Sequence, residues 1–152
     1  MNRAALEALY AELAPALATI EPHWCVIGSA AMMISGAPVA DCPDLDIMTT
    51  TAGALALEAA WGSRRDRVYA PSGDGAFRSR FSAYDFPAGR VEVMGDLLLL
   101  QDRRWTPVAI PEAVPTAFAG RMVRIPARHA QIDLLRLFGR PKDMARAALL
   151  AG

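Results

Sequence analysis

The chain has 152 residues, a formal net charge of zero and two cysteines. That length suits one domain with a real hydrophobic core, and neutral charge supplies no global field for nucleic acid. Two cysteines without C-x-x-C spacing, and only His23 and His129 to add imidazoles, form no disulfide framework and disfavour a zinc site.

No stretch approaches the ~20 uncharged apolar residues of a membrane span. Glu7 and Glu12 interrupt the apolar pattern of the N-terminus, which argues against a secretory signal. The expectation is a single cytoplasmic domain over residues 1–152.

In chain order, Leu6, Leu9, Tyr10, Leu13, Leu17 and Ile20 follow a helical period over 2–20, with Asn2 as N-cap, Pro15 expected to kink or split the helix, and Pro22 at its end. Residues 23–27 read as a strand ending in Gly28-Ser29, and a short helix of small and flexible residues follows. Asp44 to Thr49 reads as a second strand, and Thr51 is expected to cap a helix reaching Trp61. Residues 67–70 suggest a short strand, 71–75 a turn cluster, and 77–86 a longer strand that returns through Pro87-Ala88-Gly89 into 90–94. Pro107, Pro111 and Pro115 make 101–120 look irregular. A strand over 121–125, a helix over 127–138 and a last helix from Pro141 or Lys142 complete the chain.

The chemistry-bearing residues fall at strand ends. Side chains alternate along a strand, so Asp44 and Asp46 share one face while Leu45 and Ile47 enter the core. Two carboxylates so placed suit a hard cation such as Mg²⁺. Val91-Glu92-Val93 repeats the apolar–acid–apolar pattern. Gly28 lets backbone approach a phosphate, and Ser29 at a helix start offers N–H groups and a hydroxyl to an anion.

Ile27-Gly28-Ser29, Asp44-Leu45-Asp46-Ile47 and Val91-Glu92-Val93, in that order, resemble the nucleotidyltransferase superfamily of the DNA polymerase β type. Leu137-Phe138-Gly139-Arg140-Pro141-Lys142-Asp143 is similar to the Arg-x-Lys-Asp junction of nucleotidyltransferases of the abortive-infection toxin (AbiEii) type, and the small antibiotic nucleotidyltransferases share the early motif style. With both matches the resemblance spans nearly the whole chain. It implies an α+β nucleotidyltransferase fold, with a mixed, mainly antiparallel sheet flanked by helices. Asp44, Asp46 and Glu92 would be catalytic metal ligands for two Mg²⁺ ions, with Glu92 alternatively the base for the acceptor hydroxyl. Gly28, Ser29 and Lys142 would bind the nucleotide, and Asp143 would orient Lys142 or a neighbouring backbone group.

The chain departs from many relatives just before the acid pair. Where they carry Arg-x-Thr-x-Asp, this sequence has Ala40-Asp41-Cys42-Pro43-Asp44, which leaves Arg78, Arg80 or Arg140 to compensate. The implied activity is transfer of a nucleoside monophosphate from an NTP, with ATP binding, to a hydroxyl on a small molecule, a protein or an RNA end. Long nucleic acid and membrane are not expected as partners, and a homodimer or a protein partner would complete the cleft. The alternative is a degenerate, non-catalytic module that binds a nucleotide or a partner, such as a toxin–antitoxin component.

Overall fold

The computed structural model describes residues 1–69, 71 and 75–152. Helix α1 (Arg3–Ala18) begins where the Asn2 side chain accepts from the Ala5 N–H at 2.9 Å, and it buries Leu6, Leu9, Tyr10, Leu13 and Leu17. It continues through Pro15 instead of splitting. Pro15 lies in the last turn, and the fully buried Leu13 and Leu17 on either side hold that turn by packing.

Strand β1 (Trp24–Ile27) leads into α2 (Gly28–Ile34), and β2 (Asp44–Thr49) leads into α3 (Thr51–Ala60). The cap of α3 is Thr50, whose hydroxyl accepts from Gly53 N–H at 3.0 Å, and not the expected Thr51. Thr51 instead donates its N–H to the Asp96 carboxylate at 2.9 Å. Residues 67–69 do not form the expected strand. The Asp66 carboxylate accepts from the Val68 and Tyr69 N–H groups, both at 3.1 Å, and folds them into a side-chain-closed turn. Ala70 and residues 72–74 of the expected turn cluster lie outside the described residues.

Strand β3 (Phe77–Phe86) pairs antiparallel with β4 (Gly89–Gln101), which runs on past the expected end at Met94. Gly95 makes this passage feasible, since a Cβ there would sit 2.8 Å from Ala54 of α3 and 3.0 Å from the Thr50 carbonyl. The stretch expected to be irregular contains β5 (Arg104–Pro107), paired with β4, and β6 (Ala113–Phe118), paired with β7 (Arg121–Pro126). Proline is tolerated there because Pro107 ends its strand and Pro115 lies in a strand with a single partner, whose other edge needs no N–H. Helices α4 (Arg128–Phe138) and α5 (Pro141–Ala151) follow, joined at Gly139 in the left-handed region.

The main sheet has the order β1-β2-β4-β3, with β5 also on β4. Only β2 and β4 are parallel; the other pairs are antiparallel, so the sheet is mixed and mainly antiparallel. One face packs against α1 and α3 through Val26, Leu45, Ile47, Val91 and Val93. The opposite face carries Cys25, Ile27 and Met48 against Leu134 and Phe138 of α4. Helix α2 is buried on every side, and its Met32 meets Leu135, Ala147 and Leu150 of the last two helices. Those helices are thereby held over one end of the second face, leaving a cleft between helix and sheet. Among the described residues, no helix is long and apolar enough to cross a membrane.

Candidate active site

The parallel pairing of β2 with β4 sets Asp44 opposite Arg90 and Asp46 opposite Glu92. The two strands lie far apart in sequence, yet strand alternation points all three acids to the same face. One carboxylate oxygen from each of Asp44, Asp46 and Glu92 falls within 4.8 Å of the others. Across β1, Ile27 is the register partner of Asp46, so Gly28 begins α2 directly beside the acids. Gly28 has φ +70°, and a Cβ on it would sit 3.0 Å from Asp46 Oδ2. Glycine is needed there both for its backbone conformation and for room.

The three acids oppose one another's ionisation. Burial, followed by the charges of Asp44 and Glu92, holds the Asp46 carboxyl well above the usual range, while Arg146 and Lys142 pull it down. Burial, a hydrogen bond with Asp44 and the Asp44 charge push Glu92 up to about 7, against the pull of Arg90 and Lys142. Three half-buried oxygen donors that repel one another suit a hard divalent cation. The donor set therefore fits Mg²⁺.

The acids open into a cavity of about 700 Å³. Gly28, Asp44, Asp46 and Glu92 border it on the sheet side, and Lys142 and Arg146 border it from α5. Ser29 does not border it and is 4% exposed. Of the three arginines considered as compensators, Arg80 is held in a bidentate pair with Glu58, at 2.9 to 3.2 Å, away from the cavity. Arg78 borders the cavity with its guanidinium 4.0 Å over the Trp105 ring. Arg140 also borders it, bound to the buried Asp143 at 2.6 and 3.1 Å. Asp143 therefore orients Arg140, whose backbone N–H it also accepts at 3.3 Å, and not Lys142.

Cys42, which stands in the relatives' Thr position, is fully buried in the main core, and burial raises its thiol pKa. Its N–H donates to the Met1 carbonyl at 2.9 Å, and its carbonyl accepts from the Met1 amino group at 2.6 Å, so the residue anchors the loop from within. Reading the sequence missed Arg146, although the spacing of four from Lys142 on a helix places both on one face. It also missed the aromatic part of the wall, Tyr69, Phe77, Phe81 and Phe138, which comes from three separate elements and carries no local signature.

No known family model matches this sequence, and no curated protein matches it. Solved structures do. A protein of Thermotoga maritima assigned to the nucleotidyltransferases superposes with a TM-score of 0.77 at 19% identity, over 96% of this chain and 92% of its own. The lincosamide antibiotic adenylyltransferase LnuA, solved with lincomycin bound, gives 0.61 at 12% identity over 100% and 99%. ANT(2'')-Ia, solved with adenylyl-2''-tobramycin, gives 0.57 at 16% identity over 95% and 86%. Superposition over nearly the whole chain with these three structures gives this chain the nucleotidyltransferase fold.

Proposed function

We propose that this protein transfers a nucleoside monophosphate from an NTP to a hydroxyl acceptor, with Mg²⁺ held by Asp44, Asp46 and Glu92. The observation that carries this reading is the convergence of three carboxylate oxygens within 4.8 Å beneath Lys142 and Arg146, in one open cavity. Metal bound there would neutralise phosphate charge and favour ionisation of a coordinated hydroxyl. Lys142 and Arg146 hold the triphosphate, and the start of α2 at Gly28 and Ser29 contributes backbone N–H groups, since the Ser29 side chain is buried. Glu92 holds the metal beside the acceptor hydroxyl or, alternatively, takes that hydroxyl's proton. The acceptor oxygen bonds to the α-phosphorus as the bond to pyrophosphate breaks, and pyrophosphate leaves with its charge against the α5 cations.

Arg140, which borders the cavity at the start of α5 beside Lys142, takes the place of the arginine that the resemblance implies before the acid pair. Two free, buried cysteines are compatible with a cytoplasmic setting. A second copy or a protein partner closes the cleft over the acceptor, which size-exclusion chromatography with Mg²⁺ and ATP checks.

Calorimetry with each NTP and Mg²⁺ tests the reading, followed by an assay for pyrophosphate release. Absence of metal-dependent NTP binding by the wild type rules it out, and full binding by Asp46→Ala rules out the metal site. The buried Cys42 in the usual Thr position favours a second reading, a nucleotide-binding module without turnover, such as a toxin–antitoxin component. NTP binding without pyrophosphate release in the presence of acceptor candidates would support that module.

A further inference from the structure

We propose that Tyr69 and Phe81 form a stacking platform for a flat ring carried by the acceptor, so that the acceptor is an aromatic or similarly planar hydroxyl compound; this rests on the nucleotidyltransferase reading above. Tyr69 borders the cavity yet is 45% exposed. Its ring lies 5.8 Å from that of Phe81, tilted by 43°. The Arg90 guanidinium stands 4.6 Å from the Tyr69 ring centroid. Arg90 is in turn held by Asp66 at 3.1 Å and Asp85 at 3.0 Å. Asp66 also accepts the Tyr69 N–H. An exposed aromatic side chain fixed through both its backbone and its ring is organised before any ligand arrives, which lowers the entropic cost of stacking on it.

Its position selects the acceptor. Glu92 on β4 faces Ala83 on β3, and Phe81 is two residues further along β3, opposite Met94. Crossing the sheet from Gly28 and Asp46 therefore passes Glu92 before reaching Phe81 and Tyr69. Helix α5, which carries Lys142 and Arg146, packs on Met32 of α2 through Ala147 and Leu150, at the Gly28 end of that line. Phosphates belong with those cations, which leaves the aromatic side of the cavity to the acceptor. Among the described residues bordering the cavity, the acids are Asp44, Asp46, Glu92 and Asp143. The first three form the metal site and the last is paired with Arg140, so none of these is left for a polycationic acceptor.

The test uses protein loaded with Mg²⁺ and a non-hydrolysable ATP analogue, titrated with 4-nitrophenyl glucoside and with methyl glucoside, which lacks the ring. The nitrophenyl compound is expected to bind roughly tenfold tighter. Tyr69→Ala should cancel that preference, Tyr69→Phe should keep it, and both variants should bind the ATP analogue as wild type does, which also reports that they are folded. The proposal is overturned by equal binding of the two glucosides, or by a preference that survives in Tyr69→Ala and in Phe81→Ala. It is also overturned if Tyr69→Ala weakens the ATP analogue but not tripolyphosphate, which would place the nucleotide base on the platform. Failure of the wild type to bind the ATP analogue with Mg²⁺ sinks the nucleotidyltransferase reading itself.

Discussion

Gly28 and Asp46 are in contact range across β1 and β2: a methyl group on Gly28 would meet the Asp46 carboxylate at 3.0 Å. Gly28→Ala therefore both imposes a left-handed conformation on a residue with a Cβ and displaces a proposed metal ligand. The conformational part alone costs about 1–2 kcal/mol. The variant is expected to lose stability by that amount in urea unfolding and to bind Mg²⁺ more weakly in calorimetry. Unchanged Mg²⁺ binding would show that Asp46 has room to move without losing its function.

Burial and two neighbouring carboxylates oppose the ionisation of Asp46. Asp46→Asn keeps its shape and removes the repulsion. Metal-free protein should gain about 1 kcal/mol, a rise in Tm of about 2–4 °C for a chain of this size. Mg²⁺-dependent NTP binding should be lost in the same variant. A fall in Tm would mean that the Asp46 charge is compensated in the folded state.

The pH dependence follows from Glu92, whose pKa is about 7 in the fold against an ordinary 4.5. Between those values the folded state holds more proton than the unfolded chain, so stability falls as pH rises. Metal-free protein should melt higher at about pH 5.5 than at about pH 8, and Glu92→Gln should flatten that slope. Mg²⁺ competes with the proton, so its affinity should drop as pH falls below about 7. Thermal melts with and without Mg²⁺ across this range check both signs.

Lys142 and Arg146 approach the acids from one face of α5. Removing either charge is expected to weaken NTP binding by roughly ten- to a hundredfold, the range of a charge-assisted hydrogen bond. Lys142→Ala and Arg146→Ala should both also raise the apparent pKa of the acid cluster, since each lowers that of Asp46. Arg80→Ala serves as the contrast. Its partner is Glu58, so it should leave NTP affinity unchanged.

The acid triad was legible because strand alternation is a local rule, and three motifs in order resemble one fold. The parallel β2–β4 pairing sets Asp46 opposite Glu92. The ranking of the arginines was not legible. Arg78 and Arg80 are two residues apart, but the pairing register shifts between them, and Glu58 on α3 captures only the second. Proline misled the reading of 101–120, since a breaker of interior strands is harmless where a strand has one open edge. Asp66 misled the reading of 67–70, because a side chain closing a turn two and three residues ahead leaves no mark on β-propensity.

The parallel join between β2 and β4 also bears on how the chain comes to be functional. Asp46 and Glu92 are separated in the chain by α3 and β3, and the cations of α5 are synthesised later still. A nascent chain emerging from the ribosome therefore has no complete site until α5 is out, and contacts this distant in sequence form slowly. A ligand of that cavity would bind only molecules folded through α5, and by mass action would draw late folding intermediates toward completion.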